Sequence, residues 1–224
     1  MGAAEPLVDA VRAGLREAAD PERAPAMAAY MKSAMPFLGV RRPAVRRLVR
    51  AAAKADPPAD LATLADTARE LWDGAAYREE RYAAQDLLGL RLARGRSELL
   101  PLHQHLAVTG AWWDHVDEVA VRIGEILDAD LRAADTVRRW SEDPDRWLRR
   151  LAILSQLGRR ERTDRALLAA VIEPNVPDRE FFIRKAIGWA LREVAYVDPD
   201  WVRAFVAGHD LAPLSRREAL KHLQ

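Results

Sequence analysis

The sequence predicts an all-α protein built from repeated pairs of helices. Strand signals are nearly absent, because no segment sustains an alternation of polar and apolar residues and β-branched residues rarely cluster. Amphipathic windows of roughly 10 to 16 residues recur instead, and Pro, Gly or Asp residues separate them. The third observation is a repeat, since similar helices return at a regular interval along most of the chain.

These windows and their boundary residues predict the helices in order. Breaks are marked by residues 56–58 (DPP), 142–145 (EDPD) and 173–178 (EPNVPD). Side chains able to cap a helix stand at or near four predicted starts, namely Asp60, Ser97, Asp198 and Ser215. The predicted helices lie near residues 5–19, 23–34, 42–54, 60–73, 77–93, 97–107, 112–127, 131–141, 146–157, 163–173, 180–195, 199–207 and 213–222.

Four of these helices share a pattern: an opening aromatic residue, then Arg or Lys and an Ala-rich apolar stretch. They recur every 34 or 35 residues and begin at positions 77, 112, 146 and 181, with a weaker fifth copy at 214–223. Paired helices at such a period are typical of HEAT-like repeats, which stack into a curved α-solenoid with a concave surface. We therefore predict one HEAT-like domain over residues 1–224, with the second helix of each pair lining the groove.

Composition limits the chemistry that the chain can perform. It has no cysteine, which excludes disulfides, thiolate nucleophiles and Cys-ligated metal centres. The N-terminal residues include acids where a signal peptide needs an apolar run, and no stretch approaches the ~20 apolar residues that span a bilayer. We therefore expect an intracellular, cytoplasmic protein without a membrane partner.

The distribution of charge is more informative than the net charge of +1. Residues 41–50 (RRPAVRRLVR) carry five arginines and no acid, whereas residues 54–80 are mostly acidic or neutral. Such a run is usually a solvated helix face, but it can also form part of a basic groove for nucleic acid. Both interpretations stay open on sequence grounds.

Adjacent tryptophans at 112 and 113 cannot share one face of a helix, because each residue turns the helix by about 100°. Trp112 aligns with a narrow apolar stripe, which assigns it to the core. Trp113 falls to one side, with Asp117 one turn beyond it at neighbour spacing. That pair is either a packed tryptophan with a solvated carboxylate or part of a site. The stripe consists of Val116, Val119, Ala120, Ile123 and Leu127.

The next two repeats leave further residues off their apolar stripes. Arg150 sits at the edge of its stripe and can reach sideways towards Asp117, whereas Arg149 points away. Trp189 falls off the following stripe, so a second bulky aromatic side chain is not needed by the local core. Two aromatic faces, one carboxylate and one guanidinium are thus expected to converge in a groove. The two stripes consist of Trp147, Leu151 and Leu154, and of Ile183, Ile187, Ala190 and Val194.

Five stretches of the chain resemble the AlkD-like DNA alkylation repair glycosylases, HEAT-like proteins that excise cationic alkylpurines. They run in the family's order, and the strings around PFLG and GWALRE are more specific than a lone WxxxD. Two positions depart from the pattern: Met35 replaces an aromatic residue, and Arg41 occupies a slot often held by a neutral polar residue. The stretches are YMKSAMPFLGV (30–40), WWDHVDEVA (112–120), RWLRRLAILSQL (146–157), FFIRKAIGWALREVAYVDPDWV (181–202) and LAPLSRREALKHL (211–223).

The resemblance implies a role for each matching residue. Trp113 and Trp189 would cradle the lesion nucleoside, and Asp117 would be the catalytic carboxylate. Arg150 would hold that carboxylate or clamp a flanking phosphate. Tyr30 and Arg192 also fall on motif positions near the family's site, and Arg41 stands beside one. Apart from the resemblance, we expect basic residues along the groove to contact phosphates and Trp112 to lie at the DNA interface; the basic residues are Lys32, Arg42, Arg46, Lys185 and Arg217.

These residue types suit the excision of an alkylated purine. Alkylation at N3 or N7 makes the base cationic, and cleavage of its glycosidic bond passes through an oxocarbenium-like sugar that a carboxylate stabilises. Tryptophan faces attract cations by about 0.5–2 kcal/mol each. No lysine stands beside Asp117, so we expect hydrolysis without a strand-cutting lyase step. The sequence shows no metal-ligand spacing and no phosphate-cradling loop, so we expect no metal and no cofactor.

The leading hypothesis is therefore a monomeric, monofunctional glycosylase for N3- and N7-alkylpurines in double-stranded DNA. The resemblance implies that it recognises the lesion from the backbone side, without a base-flipping pocket. A member specialised for bulky natural-product adducts would use the same chemistry. A HEAT-like scaffold that binds DNA or protein without catalysis is the alternative from another class, and the near-neutral net charge favours it. A scaffold has no need of Trp113, Asp117, Arg150 and Trp189 together.

Overall fold

The computed structural model describes residues 5–223, and their regular secondary structure is entirely helical. Short 3-10 turns at Ser97–Leu99, Arg160–Arg162 and Glu173–Asn175 supplement the α-helices. The α-helices of the described residues are α1 (Glu5–Glu17), α2 (Ala24–Met31), α3 (Arg42–Ala55), α4 (Leu61–Asp73), α5 (Arg78–Leu87), α6 (Leu100–Gly110), α7 (Trp113–Ala129), α8 (Ala133–Ser141), α9 (Arg146–Leu154), α10 (Arg165–Ile172), α11 (Phe181–Ala195), α12 (Pro199–Gly208) and α13 (Pro213–Ala219).

The all-α prediction is confirmed, and each predicted helix has an observed counterpart in the same order. The largest boundary error is at α5, which ends at Leu87 instead of continuing to residue 93. Beyond it the chain tightens into turns, because the amides of Gly89 and Leu90 bond to carbonyls only three residues back. The start of α6 also differs, since its first turn is the 3-10 segment Ser97–Leu99.

Two of the four predicted caps are confirmed. The Asp60 carboxylate accepts the Thr63 amide at 2.8 Å, and the Asp198 carboxylate accepts the Trp201 amide at 3.1 Å. Ser97 does not cap α6; it opens the 3-10 turn, and its side chain bonds to Asp130. Ser215 was wrongly assigned as a cap, because it lies inside α13 and its hydroxyl donates to another helix.

The chain divides into two compact units, Met1–Arg94 and Gly95–Gln224. In the first unit α5 packs against α1, α3 and α4, and its polar residues are buried as well as its apolar ones. The buried Glu79 carboxylate accepts three consecutive backbone amides, from residues 38, 39 and 40, at 2.9–3.0 Å. Within that loop Gly39 has φ +87°, and a Cβ there would lie 2.0 Å from the Asp20 carbonyl oxygen. The conformation of the PFLGV segment therefore depends on a glycine and a buried carboxylate.

In the second unit the second helices of successive pairs form a row. Helix α7 packs on α9, α9 on α11, and α11 on α13, while α8 and α10 pack together on the other layer. The helices α5, α7, α9 and α11 begin 33 to 35 residues apart, so the repeat read from the sequence is structural. The three predicted apolar stripes on α7, α9 and α11 are buried; every stripe residue named above from these helices is at most 4% exposed.

Across residues 5–223, we find no helix with the length and apolar character that crossing a lipid bilayer requires.

Candidate active site

An ion pair between neighbouring repeats forms the centre of the candidate site. Arg150 on α9 donates from Nε to Oδ1 of Asp117 at 2.8 Å and from Nη2 to Oδ2 at 2.9 Å. The arginine side chain is 4% exposed and that of Asp117 is 15% exposed. This two-point geometry fixes the orientation of the carboxylate. The sideways reach predicted for Arg150 is therefore observed.

Arg150 also joins this pair to α11. Its Nη1 donates to the Phe182 carbonyl oxygen at 2.7 Å, one residue after α11 begins. That carbonyl lies in the first turn of α11. One buried guanidinium thus connects α7, α9 and α11 at the same level of the stack.

Burial raises the pKa of Asp117 above its ordinary value, and the nearby Asp114 carboxylate acts in the same direction. Arg150 opposes this shift through its hydrogen bonds and its charge. The net direction is upward, because the pair is removed from most of the solvent that would stabilise the anion. The site therefore holds a partly buried carboxylate whose negative charge depends on Arg150.

The structure corrects the position of Trp112. It is not the first residue of the helix but its N-cap, with extended backbone angles of φ −152° and ψ 148°. Its ring packs in a cluster with Trp147 and Phe182, at centroid distances of 6.1 and 5.7 Å. The expected core role is retained in part, since the side chain is only partly exposed, but helical periodicity does not set its direction.

Trp113 and Trp189 differ from that cluster. Both are partly exposed, and within residues 5–223 neither ring stacks on another aromatic ring or lies against a cation. Trp113 is the first residue of α7, one turn before Asp117. Trp189 lies two turns beyond Phe182 on α11. Their faces are therefore available to a ligand.

Two of the basic residues expected to contact DNA are ion-paired with the same carboxylate on α13. Lys185 Nζ lies 2.9 Å from Oε1 of Glu218, and Arg192 donates to Oε2 of the same carboxylate. Arg217 is exposed and has no side-chain partner in the part of the chain that the structure describes. The second unit therefore presents one free cation and two paired ones from the predicted set.

The remaining predicted DNA contacts lie in the first unit. Tyr30 is 77% exposed on α2, and the exposed Lys32 ends that helix in the left-handed conformation with φ 48°. Arg41 is exposed at the N-cap of α3. Arg42 and Arg46 both bond to the buried Asp86 carboxylate, at 3.2–3.3 Å. These two arginines belong at least partly to the internal packing of the unit.

The sequence analysis did not identify the groups that bond to the predicted site residues and DNA contacts. Glu218 carries one signal, because it is the only acid among the basic residues of SRREALKH. The Phe182 carbonyl carries none, since a backbone acceptor has no sequence signature. Asp86 was hidden because α5 buries polar positions that an amphipathic pattern assigns to solvent.

Chemically, this arrangement can stabilise positive charge. A fixed carboxylate follows a free tryptophan face by one helical turn, and the carboxylate retains some solvent access. Indole faces attract cations, and a carboxylate stabilises an electron-poor carbon or accepts a proton from water. Within residues 5–223 no cluster of three or more His, Cys, Asp or Glu residues is arranged to hold a metal ion.

Comparison with known proteins gives a consistent result. Residues 11–223 match the family model described as DNA alkylation repair enzyme. The chain is also similar to the solved structure of a predicted DNA alkylation repair enzyme from Enterococcus faecalis. The two share 30% identity and superpose with a TM-score of 0.81, over 92% of this chain and 96% of the other. No curated protein matches the sequence.

Proposed function

Because this chain belongs to the DNA alkylation repair enzyme family, we propose that it is a monofunctional DNA glycosylase for cationic N3- and N7-alkylpurines. The observation that carries the proposal is the Asp117 carboxylate, held at both oxygens by Arg150 one helical turn beyond the free face of Trp113. A binding scaffold has no use for a partly buried anion fixed in this way. Fixing it lowers the reorganisation needed when positive charge develops nearby.

The proposed reaction is hydrolysis of the bond between C1′ and the purine nitrogen. That bond breaks with both electrons passing to the base, which neutralises its positive charge. The deoxyribose then carries an oxocarbenium-like charge, and the Asp117 anion stabilises it. A water molecule adds to C1′ and loses a proton, for which Asp117 is the available acceptor. The products are the free base and an abasic site.

The two tryptophans supply selectivity in this proposal. Their faces attract a cationic base or sugar more than a neutral one, by about 0.5–2 kcal/mol each. Neither α7 nor α9 contains a lysine that could form a Schiff base beside Asp117. This supports simple hydrolysis over a lyase reaction. Recognition of the backbone and sugar, with the base left outside a closed pocket, would also accommodate bulky adducts.

Double-stranded DNA carrying alkylated purines is the proposed partner. Among the predicted DNA contacts, three exposed cations have no side-chain partner within residues 5–223 and can contact phosphates without losing one, namely Lys32, Arg41 and Arg217. We further propose that the protein acts as a monomer on chromosomal DNA in the cytoplasm.

The test is release of free base from a duplex with a single 7-methylguanine or 3-methyladenine. We expect release by the wild type, and a loss of about two orders of magnitude or more in Asp117→Asn, since one electrostatic group of this kind typically contributes that much. Asp200→Asn, at a 92% exposed carboxylate, is the matched control and should keep full activity. DNA binding should survive in both variants.

Other outcomes would redirect the proposal. If the wild type releases neither methylpurine but excises a bulky alkylpurine adduct, the specialised glycosylase is the better description. If it releases none of these bases while binding DNA, the scaffold hypothesis replaces catalysis. Equal release by Asp117→Asn and the wild type would remove the carboxylate from the mechanism.

A further inference from the structure

The Glu218 carboxylate of α13 bridges two cations of α11. Its Oε1 lies 2.9 Å from Lys185 Nζ, and its Oε2 accepts from Arg192 Nη1. The side chains of Glu218 and Arg192 are 12% and 18% exposed, while that of Lys185 is 40% exposed. The three charges therefore form a partly buried network at the junction of the two helices, with Lys185 as its most accessible member.

The carboxylate cannot move away easily, because α13 sits directly on the α11 backbone. A Cβ added to Gly188 would lie 2.5 Å from the Glu218 Cβ, so the two helices approach as closely as a glycine permits. The Ser215 hydroxyl, one turn earlier on α13, donates to the Arg184 carbonyl oxygen at 2.9 Å. These contacts hold Glu218 in place over both cations.

The bridged cations flank Trp189. Lys185 lies four residues before it and Arg192 three residues after it, which are the spacings at which helical side chains are neighbours. Any DNA that brings a lesion to the Trp189 face therefore brings its phosphates near these two cations. In the free protein both cations are already paired with Glu218, whose single negative charge leaves the triad with a net charge of +1.

We propose that Glu218 limits the affinity of this cationic pair for DNA phosphates, so that the protein binds undamaged DNA weakly. This inference rests on the proposed function. A phosphate and the carboxylate compete for the same two cations, and a phosphate gains them only by displacing a fixed internal partner. Weak binding to undamaged DNA helps a repair enzyme to reach its lesions, because undamaged sites vastly outnumber lesions and compete for the protein.

The competition has a measurable signature in the salt dependence of binding. Each phosphate contact contributes about −0.9 to the slope of log affinity against log salt concentration on duplex DNA. In Glu218→Gln, Lys185 and Arg192 are released, so the slope should become steeper by about 0.9 to 1.8. Affinity for an undamaged duplex should rise severalfold or more at low salt.

The control variant is Glu142→Gln. Glu142 is exposed in the same unit and has no side-chain partner in the described residues, so its loss changes the net charge equally but frees no cation. We expect little change in slope for this variant. If Glu218→Gln and Glu142→Gln increase the affinity for undamaged duplex DNA equally, only net charge matters and the proposal is overturned.

A second substitution, made first in the otherwise wild-type chain, provides a test that does not require Glu218→Gln to fold. Lys185→Gln in the otherwise wild-type chain should leave the slope almost unchanged, because that lysine is already occupied. The same substitution in the Glu218→Gln background should remove about 0.9 from the slope. Loss of a full contact from Lys185→Gln alone would show that Glu218 positions the lysine for DNA, which is the opposite role.

Failure of this inference is distinguishable from failure of the proposed function. If the wild type releases alkylated bases but Lys185→Gln loses a full contact, only the role of Glu218 is wrong. If the wild type binds no duplex DNA at any salt concentration, both proposals fail.

Discussion

Arg150 donates a hydrogen bond to each carboxylate oxygen of Asp117, although the two residues are 33 positions apart in the chain. That separation is one repeat, so the contact exists because successive second helices stack side by side. The first helices of successive pairs show the same spacing: Asn175, in the turn after α10, donates to the Ser141 carbonyl of α8, 34 residues away, and Trp140 of α8 donates to Gln104 of α6, 36 residues away. In such a repeat array, a residue finds its partner roughly one period away.

Removing Arg150 should shift the pH dependence of base release. Arg150→Gln eliminates the charge and the hydrogen bonds that lower the pKa of Asp117, so burial raises that pKa further. The acidic limb of the pH–rate profile should therefore move to higher pH, and activity at neutral pH should fall. Arg149→Gln is the matched control, since Arg149 bonds to Asp178 and to the carbonyls of residues 143 and 144 instead. If the pH–rate profile of Arg150→Gln matches those of the wild type and of Arg149→Gln, Arg150 has no role in holding the anion.

The wild-type profile should itself report the raised pKa of Asp117. Base release requires the anion, so activity should fall as pH decreases through a value above the 3.8 of an ordinary aspartate. The effect on stability has the opposite sign. Between the unfolded and folded pKa values the folded state binds more protons, so the contribution of this group to stability decreases as pH rises through that window. In Asp117→Asn, that part of the pH dependence should be absent from unfolding measurements.

His103 should make the protein sensitive to acid. Burial and the neighbouring Arg122 lower the pKa of His103 from 6.5 to about 3. The unfolded state therefore binds the proton first, and stability is lost as pH falls from about 6.5 towards 3, by up to about 1.4 kcal/mol per pH unit. His103→Leu removes the titrating imidazole and should flatten this dependence in urea unfolding between pH 6 and 4. An unchanged dependence would show that other groups dominate.

Gly188→Ala should separate α13 from α11. The added methyl group would lie 2.5 Å from the Glu218 Cβ and 2.9 Å from the Ser215 carbonyl oxygen, so the helix has to shift. We expect a loss of about 1–3 kcal/mol in the free energy of unfolding, as for other overpacked interfaces. Gly208→Ala provides the control, because nothing lies within 4 Å of a Cβ there. If both alanines stabilise the protein through helix propensity, the close approach of the helices is wrong.

Much of the fold could be predicted from local patterns. Helix order, the repeat and the buried stripes follow from the spacing of apolar residues, which each helix displays by itself. The Asp117–Arg150 contact also followed, because the repeat period placed both residues at equivalent edges of neighbouring helices. The position of Trp112 did not, since an N-cap leaves the helical periodicity one residue before the helix begins.

The ion-pair partners of charged residues were harder to predict from the sequence than the helices. Arg42 and Arg46 were predicted as phosphate contacts, yet both bond to Asp86, a buried residue of α5 that the sequence analysis did not single out. Lys185 and Arg192 were likewise predicted to contact DNA, and in the structure both are ion-paired with Glu218. A charged side chain carries no sequence signal that tells an internal ion pair from a surface available to a ligand.

By itself, the sequence determined where the helices lie, which of their faces are buried and which residue types stand beside the edge tryptophan. These properties depend on contacts and angles within single helices. Only the tertiary structure decided which charges remain free. Partners such as Arg42 and Asp86, 44 residues apart, or Arg192 and Glu218, 26 apart, meet through the docking of separate helices. Docking depends on shape at the interface, including the one glycine that lets α13 approach α11.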